Sequence, residues 1–177
     1  MRRIVTEEEF AAELRSFRTS AFRLETREHY AVTFERNAFQ RFLDGSPLPP
    51  ERLDWWRAWL DDMRELTRQG KTIGRVRVLS DPPSDYQRWE MWGTPWHVEA
   101  GEQILYLPHR EAACAGIPLD RDWWLLDDER LIIMQFADDD QPGEKMLTTD
   151  PKLVAEHRRL RDLAVHHAVT VQQFAAA

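Results

Sequence analysis

Cysteine, glycine, lysine and asparagine are all scarce in this sequence of 177 residues. Cys114 stands alone, which excludes an internal disulfide and any cluster of cysteine metal ligands. The seven glycines assemble neither a phosphate-binding loop nor a dinucleotide fingerprint. The H-E-x-x-H zinc motif and the serine elbow of hydrolases are also missing. No stretch approaches the roughly 18 consecutive apolar residues of a membrane span. The N-terminal residues, Met1 to Glu9, hold two arginines but no apolar region, so they do not read as a secretory signal. The expectation is a cytoplasmic protein with no membrane partner.

The scarcity of lysine is compensated by arginine. Only Lys71, Lys145 and Lys152 are lysines, and Asn37 is the single asparagine, a bias that a GC-rich genome produces. Acidic residues still outnumber basic ones, 31 to 24, for a net charge of -7. That sign disfavours general attraction to nucleic acid or anionic lipid. Hydrophobic residues make up 42% of the chain, enough for one buried core, so residues 1–177 are expected to form a single globular domain.

What the sequence has in excess is tryptophan: residues 55, 56, 59, 89, 92, 96, 123 and 124. A buried indole needs a partner for its N–H, so dense use implies a thick aromatic core, a pocket or an interface. Trp55, Trp56, Trp59, Leu60, Met63 and Leu66 form one stripe of a helix that Asp54 can cap and Gly70 ends. Thr6 followed by three glutamates starts an N-terminal helix, and Asp150-Pro151 opens a long final one whose apolar face reaches toward Phe174. Phe39, Phe42 and Leu43 suggest a short helix that stops at Gly45.

Between the helices the period falls to two. One or two short strands are expected within residues 21–34, and Ile73 to Leu79 reads as a strand whose Arg75 and Arg77 face water. Further strands are expected at Tyr86 to Trp92, Gln103 to Leu107 and Trp123 to Leu126. The last turns through Asp127-Asp128-Glu129 into Arg130 to Phe136 as a hairpin. Asp138 to Gly143 reads as an exposed loop. The expected class is α+β, or an α/β sandwich, with a mixed or antiparallel sheet packed by the N-terminal, Trp-rich central and C-terminal helices.

Several constellations compete for a functional role. His157, His166 and His167 share the final helix, but one helix cannot bring His157 and His167 to a single ion, so no metal site is expected. His109 and Cys114 invite a base–nucleophile reading, although a lone cysteine is commonly a small apolar core residue. Asp138, Asp139 and Asp140 match a calcium loop only in charge. The strongest stretch is Trp89 to Glu102. On a strand, Arg88, Glu90 and Trp92 would project together, and Arg75 and Arg77 on a neighbouring strand could meet them, with Trp96, His97 and Glu102 at the strand-to-loop exit. These eight residues are the candidate ligand- or partner-binding set.

The order of residues also resembles a known family. Phe17 to Glu25, Arg75 to Ser80 leading to Asp85–Glu90, Ala100 to Ile104 with Leu107-Pro108, and Trp123 to Leu131 are similar to the actinobacterial domain-of-unknown-function family 6879. Members of that family tend to be encoded beside helix-turn-helix regulators, which implies a regulatory module with such a protein as partner. A fainter likeness, in Trp124 to Leu131, is to the phospholipase D-like sandwich. The catalytic His, then Lys two residues later, is absent, which implies a non-catalytic relative.

The expectation is therefore a non-enzymatic regulatory protein without a cofactor, binding a partner regulator or a small ligand through the Trp-rich stretch. The alternative is a small enzyme using Glu90, Glu99, Glu102, Arg88 or His97 for acid–base chemistry, with a glutamate raised toward neutrality by burial among indoles. Direct DNA binding rests only on Arg158, Arg159 and Arg161 of the last helix.

Overall fold

The computed structural model describes residues 2–137 and 139–175. Seven strands form one sheet: β1 (Arg2–Val5), β2 (Ser20–Glu25), β3 (Thr72–Leu79), β4 (Glu102–Pro108), β5 (Asp122–Leu126), β6 (Arg130–Phe136) and β7 (Pro142–Thr148). Their order across the sheet is β1-β7-β6-β5-β2-β3-β4. β2, β3 and β4 run parallel, and the remaining pairings are antiparallel. The helices are α1 (Glu7–Ser16), α2 (Arg36–Leu43), α3 (Asp54–Arg68), α4 (Asp85–Glu99), α5 (His109–Cys114), α6 (Pro151–His167) and α7 (Val171–Ala175). The class is α+β, with helices on both faces of a mixed sheet.

Strand alternation sorts the side chains into two layers. Phe22, Leu24, Val76, Val78, Trp123, Leu125, Leu131 and Ile133 face α5 and α6, whose Ala112, Val154, Leu160 and Ala164 complete an apolar core. The opposite face meets α1 to α4 and is mixed. Ala21, Ile73, Trp124, Leu126, Ile132 and Met134 pack against Trp56, Leu60 and Trp89. The same face also carries Arg23, Glu25, Arg75, Arg77 and Glu102. The expectation that Arg75 and Arg77 lie on a wet face is thus corrected: both are buried, at 6% and 5% exposure, because α3 and α4 cover them.

Residues 86–92 are helical, which overturns the expected strand there. Ser84 accepts from the Gln87 N–H while the Gln87 side chain reaches back to Ser84, a reciprocal cap that starts α4. The indoles of Trp89, Trp92 and Trp96 then fall at helical rather than strand spacing. Asp54 does not cap α3 either; Leu53 holds that position, and Asp54 pairs with Arg57 at 2.7 Å. The helix expected to reach toward Phe174 is α6 and ends at His167, with Val169 forming an antiparallel bridge to Tyr106 before α7 begins. Asp138 lies outside the described residues, and the chain expected to stay a loop through Gly143 enters β7 at Pro142.

The β5–β6 hairpin forms as expected. Asp127 and Asp128 take positive φ, which Asp tolerates, and the Asp127 carboxylate accepts the N–H groups of Arg18 and Thr19 at 2.8 and 2.7 Å. The turn is thereby tied to the start of β2.

Candidate functional site

A cavity of about 570 Å³ lies between the polar face of the sheet and helices α3 and α4, within the range of small-molecule sites. Its floor is Arg23 and Glu25 of β2 with Arg75 and Arg77 of β3. One wall is Trp55, Trp56 and Trp59 of α3; another is Tyr86, Trp89, Glu90 and His97 of α4. The chain leaving the carboxyl end of β2 forms the rim from Tyr30 to Glu35, and Lys145, Phe136 and Phe10 close the far side.

Helical spacing explains the α4 wall. Tyr86, Glu90 and His97 recur at intervals of four and seven residues and so share one face. Gly93 lies between them, and a Cβ there would come within 2.5 Å of the Trp56 ring, so glycine is what lets α4 approach α3 this closely. Trp55 and Trp56 stack with ring planes 7° apart, and Phe34, 61% exposed, packs on Trp55 at the cavity mouth.

The floor is an ion-pair network. Glu25 takes Arg75 at 3.1 Å through one oxygen and Arg77 at 2.8 Å through the other, with Arg23 at 3.2 Å. Burial pushes the Glu25 carboxyl up, but these three guanidinium groups outweigh it and hold it well below the usual carboxylate range. Arg75 also reaches Glu102 at 2.9 Å. Glu102 further accepts the indole N–H of Trp59 at 2.6 Å and lies 2.7 Å from Nδ1 of His97. Against its burial, Arg75, His97 and Trp59 hold Glu102 at about 2.

His97 is fixed from both sides. Trp56 donates its indole N–H to Nε2 at 2.9 Å, which leaves the proton on Nδ1, toward Glu102. Burial, opposed by the Glu102 carboxylate, keeps the imidazole below its ordinary pKa. A histidine with both nitrogens occupied is a structural strut between α3, α4 and β4 and not a free proton shuttle.

Glu90 behaves differently. Its carboxyl has Arg77 at 3.3 Å, but burial and the neighbouring Glu25 and Glu35 carboxyls overcome that cation and raise it to about 8. Glu35 is also raised by burial, against a hydrogen bond donated by the Tyr86 hydroxyl. Asp122, fully buried at the start of β5, accepts the Thr26 N–H at 2.8 Å and the Tyr30 hydroxyl at 2.6 Å. It thereby anchors the segment that becomes the rim.

Of the eight candidate residues, Arg75, Arg77, Glu90 and His97 line this cavity, and Glu102 braces it from behind. Arg88 does not join them; it is exposed and pairs with Asp85. The face expected to hold Arg88, Glu90 and Trp92 together is a strand feature that the helix abolishes. Trp92 and Trp96 back the aromatic wall, packing on Phe42, Trp56 and each other. Sequence reasoning missed Arg23, Glu25, Tyr30 and Glu35. A Ser84-x-x-Gln87 capping signal would have placed Glu90 on a helix, but nothing local marks the β2 and rim residues. Among the described residues, no group of three or more His, Cys, Asp or Glu side chains is placed to hold a metal ion. No helix among them is long and apolar enough to cross a membrane.

The sequence pattern described as Domain of unknown function (DUF6879) matches residues 8–176. The chain belongs to this family. No curated protein sequence matches it. Solved structures with a similar fold include TrmBL2, an archaeal chromatin protein with a novel mode of DNA binding, at TM-score 0.53 and 9% identity. That likeness covers 94% of this chain and 52% of TrmBL2, so the chain spans about half of TrmBL2's length. NucT from Helicobacter pylori is similar at TM-score 0.51 and 8% identity, and Nuc from Salmonella typhimurium, a phospholipase D family member, at 0.52 and 10%. In both, 96% of each chain is covered. At such identities the likeness shows the fold alone. It agrees with the phospholipase D-like resemblance, and none of the six histidines is followed two residues later by lysine.

Proposed function

We propose that this chain is a non-enzymatic small-ligand-binding module of a cytoplasmic regulatory system, its occupancy read by a partner of the helix-turn-helix class. The observation that carries the reading is the cavity: aromatic walls, a buried polar floor and a single rim built on the segment that leaves β2. A ligand there would touch α3, α4 and the rim together, so occupancy would alter the packing of three elements at once. The missing catalytic signatures and the family's association with regulators support the same reading. Of the three α6 arginines on which direct DNA binding would rest, Arg161 is paired with Asp128 and Asp162, while Arg158 and Arg159 are exposed.

The test is native mass spectrometry on protein purified gently from its own host, beside an Ala31→Phe variant that narrows the cavity. The expected result is a small-molecule mass on the wild type that is lost from the variant, with or without a co-purifying regulator. A bare wild-type chain that also purifies without a partner would remove the proposal.

One observation favours a second reading. A buried carboxyl raised to about 8 in an aromatic pocket, as at Glu90, has the properties of a general acid or base. Following the mass of the co-purified molecule during incubation separates the two. Conversion that disappears in Glu90→Gln would put an acid–base enzyme first, whereas an unchanged mass supports the binder.

A further inference from the structure

The charge inventory of the cavity is unequal. Carboxyl groups at or directly behind its surface are Glu7, Glu25, Glu35, Glu90, Glu102 and Asp122; the cations are Arg23, Arg75, Arg77 and Lys145. The imidazole of His97 adds no positive charge while Trp56 donates to its Nε2. Arg75 is divided between Glu25 and Glu102, Arg23 between Glu25 and Asp122, and Lys145 is taken by Glu7. Arg77 serves Glu25 at 2.8 Å and reaches Glu90 only at 3.3 Å. Glu35 has no cation among its side-chain partners and is held by the Tyr86 hydroxyl alone. Glu35 is left with no cation among the described residues, and Glu90 has only a share of Arg77.

The aromatic lining shows the same preference. Arg75 sits over Trp59 at 5.8 Å, Arg23 over Tyr30 at 5.5 Å, Lys145 over Phe10 at 5.3 Å and Arg27 over Phe136 at 5.1 Å. Ring faces attract cations through their quadrupole, most strongly for tryptophan. Trp55 and Trp89 line the same space and carry no cation among the described residues. An anionic ligand would find every guanidinium already committed to a carboxylate of the protein.

Resting on the cavity reading above, we propose that the molecule bound there is an organic cation, an ammonium or guanidinium with apolar substituents, held between the aromatic wall at Trp55 and Trp89 and the Glu35 and Glu90 carboxyls. In the empty cavity burial keeps Glu90 protonated at neutral pH, at about 8. Arg75 and Arg77 of β3, Arg23 and Glu25 of β2, Tyr30 and Glu35 of the rim, Tyr86 and His97 of α4, and Tyr106 of β4 surround it. A cation entering this ring replaces the proton, so binding releases a proton to solvent and strengthens as pH rises.

The probe is benzyltrimethylammonium, whose charge does not titrate, compared with phenylacetate and benzyl alcohol by tryptophan fluorescence. Wild-type protein is expected to bind the ammonium at least tenfold tighter than phenylacetate at pH 8.5, weakening about tenfold per pH unit below about 8. Glu90→Gln should flatten that pH profile and weaken the ammonium about tenfold at pH 8.5. Glu35→Gln should weaken it while retaining the slope. Both variants replace a carboxyl by a neutral group of the same shape, and circular dichroism checks that they fold. Phenylacetate binding as tightly as the ammonium would overturn the charge class and leave the cavity reading standing. Ammonium binding indifferent to both substitutions would place the cation elsewhere and overturn the proposal. Saturable binding of none of the three at millimolar concentration would count against the cavity itself.

Discussion

The indole N–H of Trp56 on α3 donates to Nε2 of His97 on α4 at 2.9 Å, and this bond sets the protonation of a histidine enclosed by the cavity wall. With its proton on Nδ1, His97 lies 2.7 Å from Glu102, and Glu102 in turn holds Arg75. A chain of four side chains thus runs from α3 through α4 and β4 to β3, next to the edge of the sheet. The walls and floor of the cavity are one connected polar unit.

His97 gives a signed pH effect. Its folded pKa lies below the ordinary histidine value of about 6.5, so the unfolded chain binds more protons as pH falls through that value. Its contribution to stability is present above about 6.5 and is lost on acidification. His157, lowered mainly by burial, acts in the same direction. Urea unfolding at pH 7.5 and 5.5 is expected to show His97→Asn losing less of its midpoint than wild type over that interval. Equal losses would contradict the buried neutral imidazole.

Glu90 acts with the opposite sign. Its pKa is raised from an unfolded value of about 4.5 to about 8, so its contribution is fully present below about 4.5 and is lost as pH rises through about 8. Glu90→Gln, which removes that titration, should be as stable as wild type or more so at pH 8, with a flatter dependence between pH 6 and 9. A variant markedly less stable at pH 8 would show that the ionised carboxylate is the native form.

Glu102 makes the contrast. It is ionised, buried and bonded to Arg75, His97 and Trp59 together. Glu102→Gln leaves the Arg75 guanidinium short of a partner inside the protein, and breaking such a pair costs about 3–5 kcal/mol. Chemical denaturation of this variant should show a loss in that range, and a loss under about 1 kcal/mol would contradict the network.

Gly93 tests the packing of the cavity wall. A Cβ at that position would lie 2.5 Å from Cζ2 and 2.7 Å from Cη2 of Trp56. Gly93→Ala should therefore destabilise by about 1–3 kcal/mol through overpacking, despite the better helix propensity of alanine. It should also change the near-ultraviolet circular dichroism of the indole cluster. An unchanged spectrum with unchanged stability would mean that α4 does not approach α3 as described.

The elements marked by capping and strong periodicity were legible in the sequence. Thr6 with Glu9 starts α1, the Trp56–Leu60–Met63–Leu66 stripe defines α3, and Asp150-Pro151 opens α6. The β5–β6 hairpin was readable from its alternating apolar residues and its aspartate turn. The α4 segment was not, because Tyr, Trp and Met so close together satisfy strand propensity, and only the Ser84–Gln87 cap spoke for a helix. β1 and β7 were missed because each is half exposed and rich in polar residues, so their pairing is settled by the sheet rather than by local pattern. At the candidate site, Glu90, His97, Arg75 and Arg77 were singled out from one stretch and one strand. Glu25 and Glu35 escaped notice because they meet Glu90 only through sequence-distant packing, and an alternating Arg-Val-Arg-Val strand looks the same whether its polar face meets water or other charges.

The most direct measurement on the cavity is a crystal structure of protein purified gently from its own host, refined to a resolution that resolves ordered small molecules. The expected result is density for a compact organic molecule between Trp55, Trp89 and the Glu90 carboxyl, with its positive group toward Glu35 and Glu90. A cavity holding only water, or one closed by collapse of the Tyr30–Glu35 rim onto α3, would contradict it.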